Sequence, residues 1–461
     1  MLPKLKNVIV LSSLPIFVSC STLDNKSSPD YSLDTLTPAQ WANSKTVSAV
    51  DSNWLTNFQD AQLSSLVEEA LQNNFGLEAA NFQTNATQAA LRISQSLRLP
   101  SLGLEASTGS QETRSITNDY QSFEFDSSSL SLGASWEFDV WNRLGNQVNA
   151  TKAEYQATLQ DYKALELSIA GQVARLWFNA IDARSQLQLS QENTASLESN
   201  LSVLENRYDR GLVTSFDIRL ARSQTAASRA TEQQRSSALN SIVRQLEIIL
   251  GRYPSGKLSI GQNLPELPNS IPVGLPADLI SRRPDIAAAE RRLRATISQD
   301  AAAQANWLPS LGLTASAGTN TEKLVDLLDS DFSVWSLFGN LTAPLFQSGK
   351  LKAERKQSEA LLQAQISQYK NTVLNAFAEV EIALANEVNF NQLITNLAIA
   401  SKESLLAEEE SWKLYERGLI DITSVLDTQR RSFDSRNQLT TARNSLIQNR
   451  IDLVLALGGD F

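Results

Sequence analysis

The chain of 461 residues contains no histidine, one cysteine and one methionine. Without histidine it lacks the commonest general base and the commonest metal ligand. One cysteine excludes an internal disulfide framework and any thiolate metal cluster built within one chain. Chemistry with carboxylates or lysine alone stays open, but no acid pair stands in a distinctive catalytic context and there is no phosphate loop. Neither an enzyme nor a cofactor or metal site is expected. Basic residues are also in deficit, 40 against 50 acidic, and the charges are mixed along the chain. That balance argues against nucleic acid, which wants a basic face. After Val18 there is no apolar run long enough for a membrane-spanning helix. Spanning β-strands, whose signal is weaker, stay open.

What is present starts at the N-terminus. In "MLPKLKNVIVLSSLPIFVSC", Lys4 and Lys6 precede a short apolar run from Val8 to Val18, then small Ser19 and Cys20. This pattern predicts a secretory signal over 1–19. Cys20 as first mature residue looks like a bacterial lipobox, with Phe17 where leucine is usual. Diacylation there would supply two chains, enough for stable anchoring. Removing Lys4 and Lys6 leaves 38 basic against 50 acidic residues, or −12.

The rest of the chain is written twice. "LPSLGLEAS" from Leu99 recurs as "LPSLGLTAS" from Leu308, an offset of 209. "RYDRGLVTSFDI" from Arg207 is echoed by "LYERGLIDITSV" from Leu414, and Tyr208, Arg210 and Gly211 match Tyr415, Arg417 and Gly418 at an offset of 207. A period this long is a duplicated half-protein rather than a solenoid. The expected organisation is a signal over 1–19, an N-terminal lipid-anchored segment over 20–60, repeat 1 over 61–252, a Pro-rich linker over 253–275 and repeat 2 over 276–461.

Each repeat has the same internal order. A helix comes first; in repeat 2, Pro284 suits its first position and Asp285 its positive dipole end. Residues 99–141 and 308–346 then lose helical periodicity and gain Ser, Gly, Thr and aromatics. In "LSLGASWEFDV", Leu130, Leu132, Ala134, Trp136 and Phe138 fall on one face and polar or small residues on the other, which predicts a strand. Each half therefore carries one β-hairpin. Helix returns after Gly145, where Tyr155, Leu159, Tyr162, Leu165, Ile169, Val173, Leu176 and Ala180 make a coiled-coil seam. A continuous helix from there to Gly211 would be roughly 100 Å long at ~1.5 Å per residue. Gly211 suits the left-handed position after its last turn, Arg210 the negative dipole end, and Thr214 or Asp421 an N-cap, with Asp217 completing an approximate capping box. The repeated corner thus predicts two αα-hairpins with two tips at one end.

Four strands cannot close a barrel, and open edges cannot face lipid, so several chains must share one wall. Two chains would give eight strands filled by side chains; three would give twelve, with room for a lumen. Helices rich in Ala, Ser, Gln and Asn suit a tube wet inside and out.

The stretches "NWLTNFQDAQLSSLVEEALQNN", "LPSLGLEAS", "WEFDVWNRLGN", "IPVGLPADLISRRPDIAAAERRL", "PLFQSGKLKAE" and "LYERGLIDITSVLD", in order and with the duplication, closely resemble outer-membrane efflux proteins of the TolC/OprM type. The match is to the lipoprotein branch paired with resistance–nodulation–division pumps. The resemblance implies a mainly α fold with a β-barrel part: tandem-duplicated coiled-coil hairpins plus four membrane strands per chain, forming a trimeric α/β barrel. It implies a homotrimer in the outer membrane of a Gram-negative bacterium, in contact with outer-membrane lipid. The trimer would extend into the periplasm to meet an adaptor (membrane fusion protein) and an inner-membrane pump. It would conduct expelled small molecules passively. The hairpin tips, with Arg210, Gly211, Asp217, Arg417 and Gly418, would contact the adaptor. Asp427, with Asp421 and Tyr415, would form the channel entrance. Three Asp427 carboxylates would crowd one constriction, raising their pKa and repelling anions. A second aspartate found in some family members corresponds to Ser424, and an arginine that assists the tyrosine corresponds to Ile420. The competing reading is a lipid-anchored periplasmic coiled-coil adaptor without a pore. It has no use for a lipid-facing alternation such as Trp136 and Phe138.

Overall fold

The computed structural model describes residues 32–33, 36–42, 54–114, 122–265, 273–274 and 276–459. The expected signal, Cys20 and most of the expected lipid-anchored segment lie outside them. Helix α1 (Ala61–Asn73) starts at Asp60, whose carboxylate accepts from the backbone N–H groups of Gln62 and Leu63. The first helix of repeat 1 is broken where one helix was expected. Asn74 is extended, and its side chain accepts from Gly76 N at 2.8 Å and Leu77 N at 3.2 Å to cap α2 (Phe75–Ser96). Its amide also donates to Ile249 O at 2.8 Å, tying the break to the far end of the repeat. Repeat 2 breaks at the equivalent place, between α5 (Pro276–Arg282) and α6 (Pro284–Ala305). There the Pro284 ring disfavours helical backbone at Arg283.

The long helices come in matched sizes. α3 (Arg143–Asp209) and α7 (Lys350–Glu416) have 67 residues each, and α4 (Ser215–Ile249) and α8 (Ile422–Ala456) have 35 each. α3 begins where Asp139 accepts from Leu144 N at 2.9 Å and Gly145 N at 2.6 Å. No helix among the described residues is long and apolar enough to cross a membrane.

Strands β1 (Ser101–Arg114), β2 (Ser122–Phe138), β3 (Ser310–Thr321) and β4 (Ser333–Thr342) form one antiparallel sheet in chain order. The two repeats therefore lie side by side, β2 against β3. Register places Leu104 beside Leu132, Leu132 beside Ala317, and Ala317 beside Trp335. With side chains alternating, one face of the sheet near the helices is apolar: Leu102, Leu104, Ala106, Leu130, Leu132, Trp136, Phe138, Leu311, Leu313, Leu337 and Leu341. The other face is Ser- and Gly-rich, with cross-strand hydroxyl pairs Ser101–Ser135, Ser107–Ser129 and Ser316–Ser336 at 2.7–2.8 Å. Among the described residues, β1 and β4 have no strand beyond them. At the strand–helix junction, the indoles of Trp136 and Trp141 donate to Arg98 O and Pro309 O.

The core lies where the short helices meet the middle of the long ones. One cluster gathers Trp54, Phe58, Leu63, Trp177, Phe178, Leu246 and Ile451. The other gathers Trp41, Leu279, Ile286, Leu293, Val373 and Phe377. The heptad seam read from α3 is correct only in part. Ile169, Val173 and Ala180 are buried, but Leu159 is exposed, and in the first turns Ala153 and Ala157 are buried instead. Small side chains there let α6 approach α3 closely, and larger neighbours are turned outward.

After α4 the chain turns around Glu247, which is buried. Its carboxylate accepts from Gly256 N, Lys257 N, Leu258 N and Ser255 Oγ at 2.6–3.2 Å. Burial alone would push its pKa up; the three N–H groups and the hydroxyl override that and hold it below the usual carboxylate value. A depressed folded pKa contributes stability that is fully present above the unfolded value and is lost as pH falls through the folded one. Glu247→Gln should therefore be less stable than the parent at pH 7 by about 1–3 kcal/mol. In urea unfolding, the gap should narrow as the pH drops below that of an ordinary carboxylate.

Candidate functional site: the paired hairpin tips

Both long hairpins end in the same backbone construction. At the first tip, Gly211 (φ 71°) donates to Tyr208 O at 2.8 Å and Leu212 N to Arg207 O at 2.9 Å. At the second, Gly418 (φ 75°) donates to Tyr415 O and Leu419 N to Leu414 O, each at 2.9 Å. These paired bonds close the last helical carbonyls and need the left-handed backbone that glycine adopts without penalty. Helix then restarts. Thr214 and Asp217 form a reciprocal capping box at α4. At α8, Asp421 accepts from Ser424 N at 2.8 Å and Ser424 Oγ at 2.9 Å, which keeps its carboxyl below the usual range. Arg210 and Arg417 are exposed beside the two glycines.

The structure brings the two tips together. Leu197, Leu204, Ile218, Ile422, Val425, Leu426 and Tyr415 form one small apolar cluster. Tyr415 is buried in it, 5.5 Å from the Trp412 ring, with the Arg207 guanidinium 4.9 Å from its ring centroid. That contact joins the second hairpin to the first through a cation–π pair. The Tyr415 hydroxyl has no hydrogen-bond partner among the described residues.

Asp427 lies about one turn into α8 and is half-buried. Its carboxylate accepts from Arg430 Nη2 at 2.8 Å and Arg431 Nε at 2.7 Å. Those two bonds hold its pKa below the usual range. Within one chain the effect is thus opposite in sign to the crowding expected from three neighbouring carboxylates. Sequence reading passed over both arginines, although spacings of three and four on a helix are contact distances. It also passed over Leu212, Phe216 and Leu419, which are exposed at the tips. The signal was available: the repeated corner is Arg-Gly-Leu in both copies.

Above the tips, α3 and α8 face each other along a polar seam. Arg175–Asp452 (2.6 Å), Asn179–Asn444 (2.8 Å), Gln186–Thr441 (3.2 Å), Glu192–Arg436 (3.1 Å) and Ser196–Gln429 (2.9 Å) follow one another in antiparallel register. Asp182 is buried beside this seam; one oxygen accepts from Gln186, and the other has no partner among the described residues. Burial pushes its pKa up to about 6, opposed by the Gln186 hydrogen bond and the Arg235 charge. No cluster of metal-ligating groups occurs among the described residues.

Comparison with known proteins gives this arrangement a context. The family model described as outer membrane efflux protein matches residues 66–252 and 275–459, one match per repeat. The cation efflux system protein CusC of Escherichia coli K12 is 29% identical over 456 residues, covering 97% of this chain and 98% of CusC. The toluene efflux pump outer membrane protein TtgF of Pseudomonas putida is 28% identical over 416 residues, covering 88% and 85%. The crystal structure of the Vibrio cholerae outer membrane protein VceC superposes with a TM-score of 0.80 at 26% identity, covering 90% of this chain and all of the other.

Two outcomes follow from the tip and seam geometry. Tyr415→Phe should leave thermal stability nearly unchanged, since the hydroxyl lacks a protein partner, whereas Tyr415→Ala should cost roughly 3–5 kcal/mol. For Asp182 the folded pKa is raised, so its folded state retains a proton that the unfolded chain releases. Stability from this group is present below the unfolded value of 3.8 and is lost as pH rises towards about 6. Asp182→Asn should therefore be close to neutral at pH 4 and stabilising at pH 8, by on the order of 2 kcal/mol, in denaturant titrations at the two pH values.

Proposed function

The chain belongs to the outer membrane efflux protein family and is an outer-membrane channel of an efflux system with its helices in the periplasm; we propose that three copies close one twelve-stranded barrel. On this reading the helical hairpins continue the wall as a tube, and Cys20 carries the acyl anchor. The chain conducts and does not catalyse. The observation that carries the reading is the sheet itself, apolar on one face, Ser- and Gly-rich on the other, and open at both edges. Apolar side chains face lipid, small polar ones face water, and the edges need strands from other copies.

The tips give the tube its contacts. Arg210, Gly211, Asp217, Arg417 and Gly418, together with exposed Leu212 and Leu419, form the rim offered to a periplasmic adaptor that links the tube to an inner-membrane resistance–nodulation–division pump. Asp427, Asp421 and Tyr415 set the entrance: Tyr415 by holding the two hairpins together, Asp421 by starting α8, and Asp427 by its charge. The cargo is chosen upstream. CusC is named for cations, but this chain has no histidine and a single cysteine and methionine, so it offers no soft-ligand set with which to select metal ions.

Purified protein in planar bilayers should conduct ions. Asp427→Ala removes one carboxylate, leaves Arg431 without its partner and leaves Arg430 only Asp434 at 3.6 Å, so the cation-to-anion permeability ratio should fall severalfold. An unchanged ratio would remove Asp427 from the entrance, and a protein without conductance would sink the channel reading.

A further inference from the structure

The connection between β3 and β4 is both apolar and exposed. Its stretch "LVDLLDS" from Leu324 occupies the place that "SITNDYQ" from Ser115 holds in repeat 1, at the 209-residue offset. Four large aliphatic residues stand where the first copy has one. Leu324, Val325 and Leu328 are 62%, 87% and 85% exposed. Neighbouring apolar side chains this open mark a surface that meets something other than water.

Strand alternation fixes the side of the sheet on which the connection lies. Thr108, Ser128, Thr319 and Thr321 continue the apolar face towards the end of the sheet farthest from the helices. Thr108 pairs with Ser128, Ser128 with Thr321, and Leu130 with Thr319. The Thr108 and Ser128 hydroxyls meet at 3.0 Å. The face that is leucine-rich near the helices thus turns polar at its far end, yet Ser128 and Thr321 are buried. The chain after β3 folds back over this end. Lys323 N donates to Thr321 Oγ1 at 3.3 Å, and Thr319 Oγ1 donates to Leu327 O, which brings Leu327 back past Thr321. The short 3-10 turn Ser330–Phe332 packs on β3. The connection is therefore fastened to the apolar side of the sheet and not to the Ser- and Gly-rich side.

The height of the apolar face gives that fastening a purpose. Within the strands its apolar run covers Leu130–Phe138 on β2 and Leu311–Ala317 on β3. At ~3.3 Å per residue and a tilt of about 40°, these runs rise about 20 Å and about 15 Å, against about 25 Å for the lipid-facing band of an outer-membrane barrel. The hydroxyl row begins where the run stops, and the folded connection begins there too.

We infer that the β3–β4 connection is a flap lying against lipid of the outer leaflet, where Leu324, Val325 and Leu328 extend the apolar band beyond the strands. The inference rests on the barrel proposed above. The flap covers the hydroxyl row of β2 and β3 and presents aliphatic side chains in its place. Exposed Glu322, Asp329 and Asp331 keep it at the polar boundary, because carboxylates do not enter hydrocarbon unpaired. The composition of repeat 1 supplies no second flap, so each chain brings one.

Nitroxide labels on introduced cysteines test the placement in the full chain, reconstituted in vesicles of phosphatidylethanolamine and phosphatidylglycerol. The signal of the parent chain, with Cys20 alone, is subtracted. Leu104→Cys on the apolar face and Asn320→Cys on the opposite face, both exposed in the parent, set the lipid and water references. At Val325→Cys, the ratio of collisions with oxygen to collisions with a water-soluble nickel chelate should lie severalfold above that at Asn320→Cys and close to that at Leu104→Cys. A ratio at 325 equal to that at 320, with Leu104→Cys lipid-like, would overturn the flap and leave the barrel standing. A water-like ratio at Leu104→Cys as well would overturn the barrel and the flap with it.

Discussion

Backbone N–H and C=O groups at a sheet edge cannot be left unpaired in hydrocarbon, and the structure depends on that constraint. Among the described residues β1 and β4 are open within one chain, while the sheet face they border is lined with leucine and tryptophan. A lone chain in lipid would expose two rows of unsatisfied polar groups, each costing several kcal/mol. The duplication gives the economical remedy. Because β1–β2 and β3–β4 are versions of one hairpin, the edge that β4 leaves open matches the edge that β3 presents to β2. Copies of the chain can then extend the sheet with a joint already used once inside it.

The same logic carries into the helices, where the solvent changes and the chemistry with it. No long helix is apolar all round. Alanine at 153 and 157 lets α6 settle on α3, and the buried aromatics gather only where the short helices brace the middle of the hairpins. Farther from the membrane, cohesion passes to hydrogen bonds and ion pairs along α3 and α8, then to one small apolar cluster at the tips.

Much of this was legible in the sequence, because repetition and periodicity are properties of residues in order. The two glycine corners, the cap at Thr214 and the alternation through Trp136 and Phe138 follow from local rules that tertiary packing did not override. What escaped reading had different causes. The break at Asn74 depends on a hydrogen bond to Ile249, far along the chain. The alanine face of α3 was hidden because periodicity favours large side chains, whereas close helix approach favours small ones. Arg430 and Arg431 stand three and four residues after Asp427, a helical contact spacing that is legible in the sequence, whereas the role that the family resemblance implies for Asp427 concerns neighbouring copies. The exposed leucines at the tips carry no local pattern of their own, because the glycine beside them already explains the turn.

The matched lengths of the long helices have a consequence for how such a chain can change over time. Because α3 matches α7 in length and α4 matches α8, both corners finish at one height, and in the proposed assembly the far mouth of the tube is flush. A heptad added to α3 alone would leave one corner protruding and shift its facing partners out of step. Lengthening the tube to bridge a wider gap between membranes would require coordinated growth in all four helices. Reach is therefore a property that this architecture can alter only in whole-ring steps.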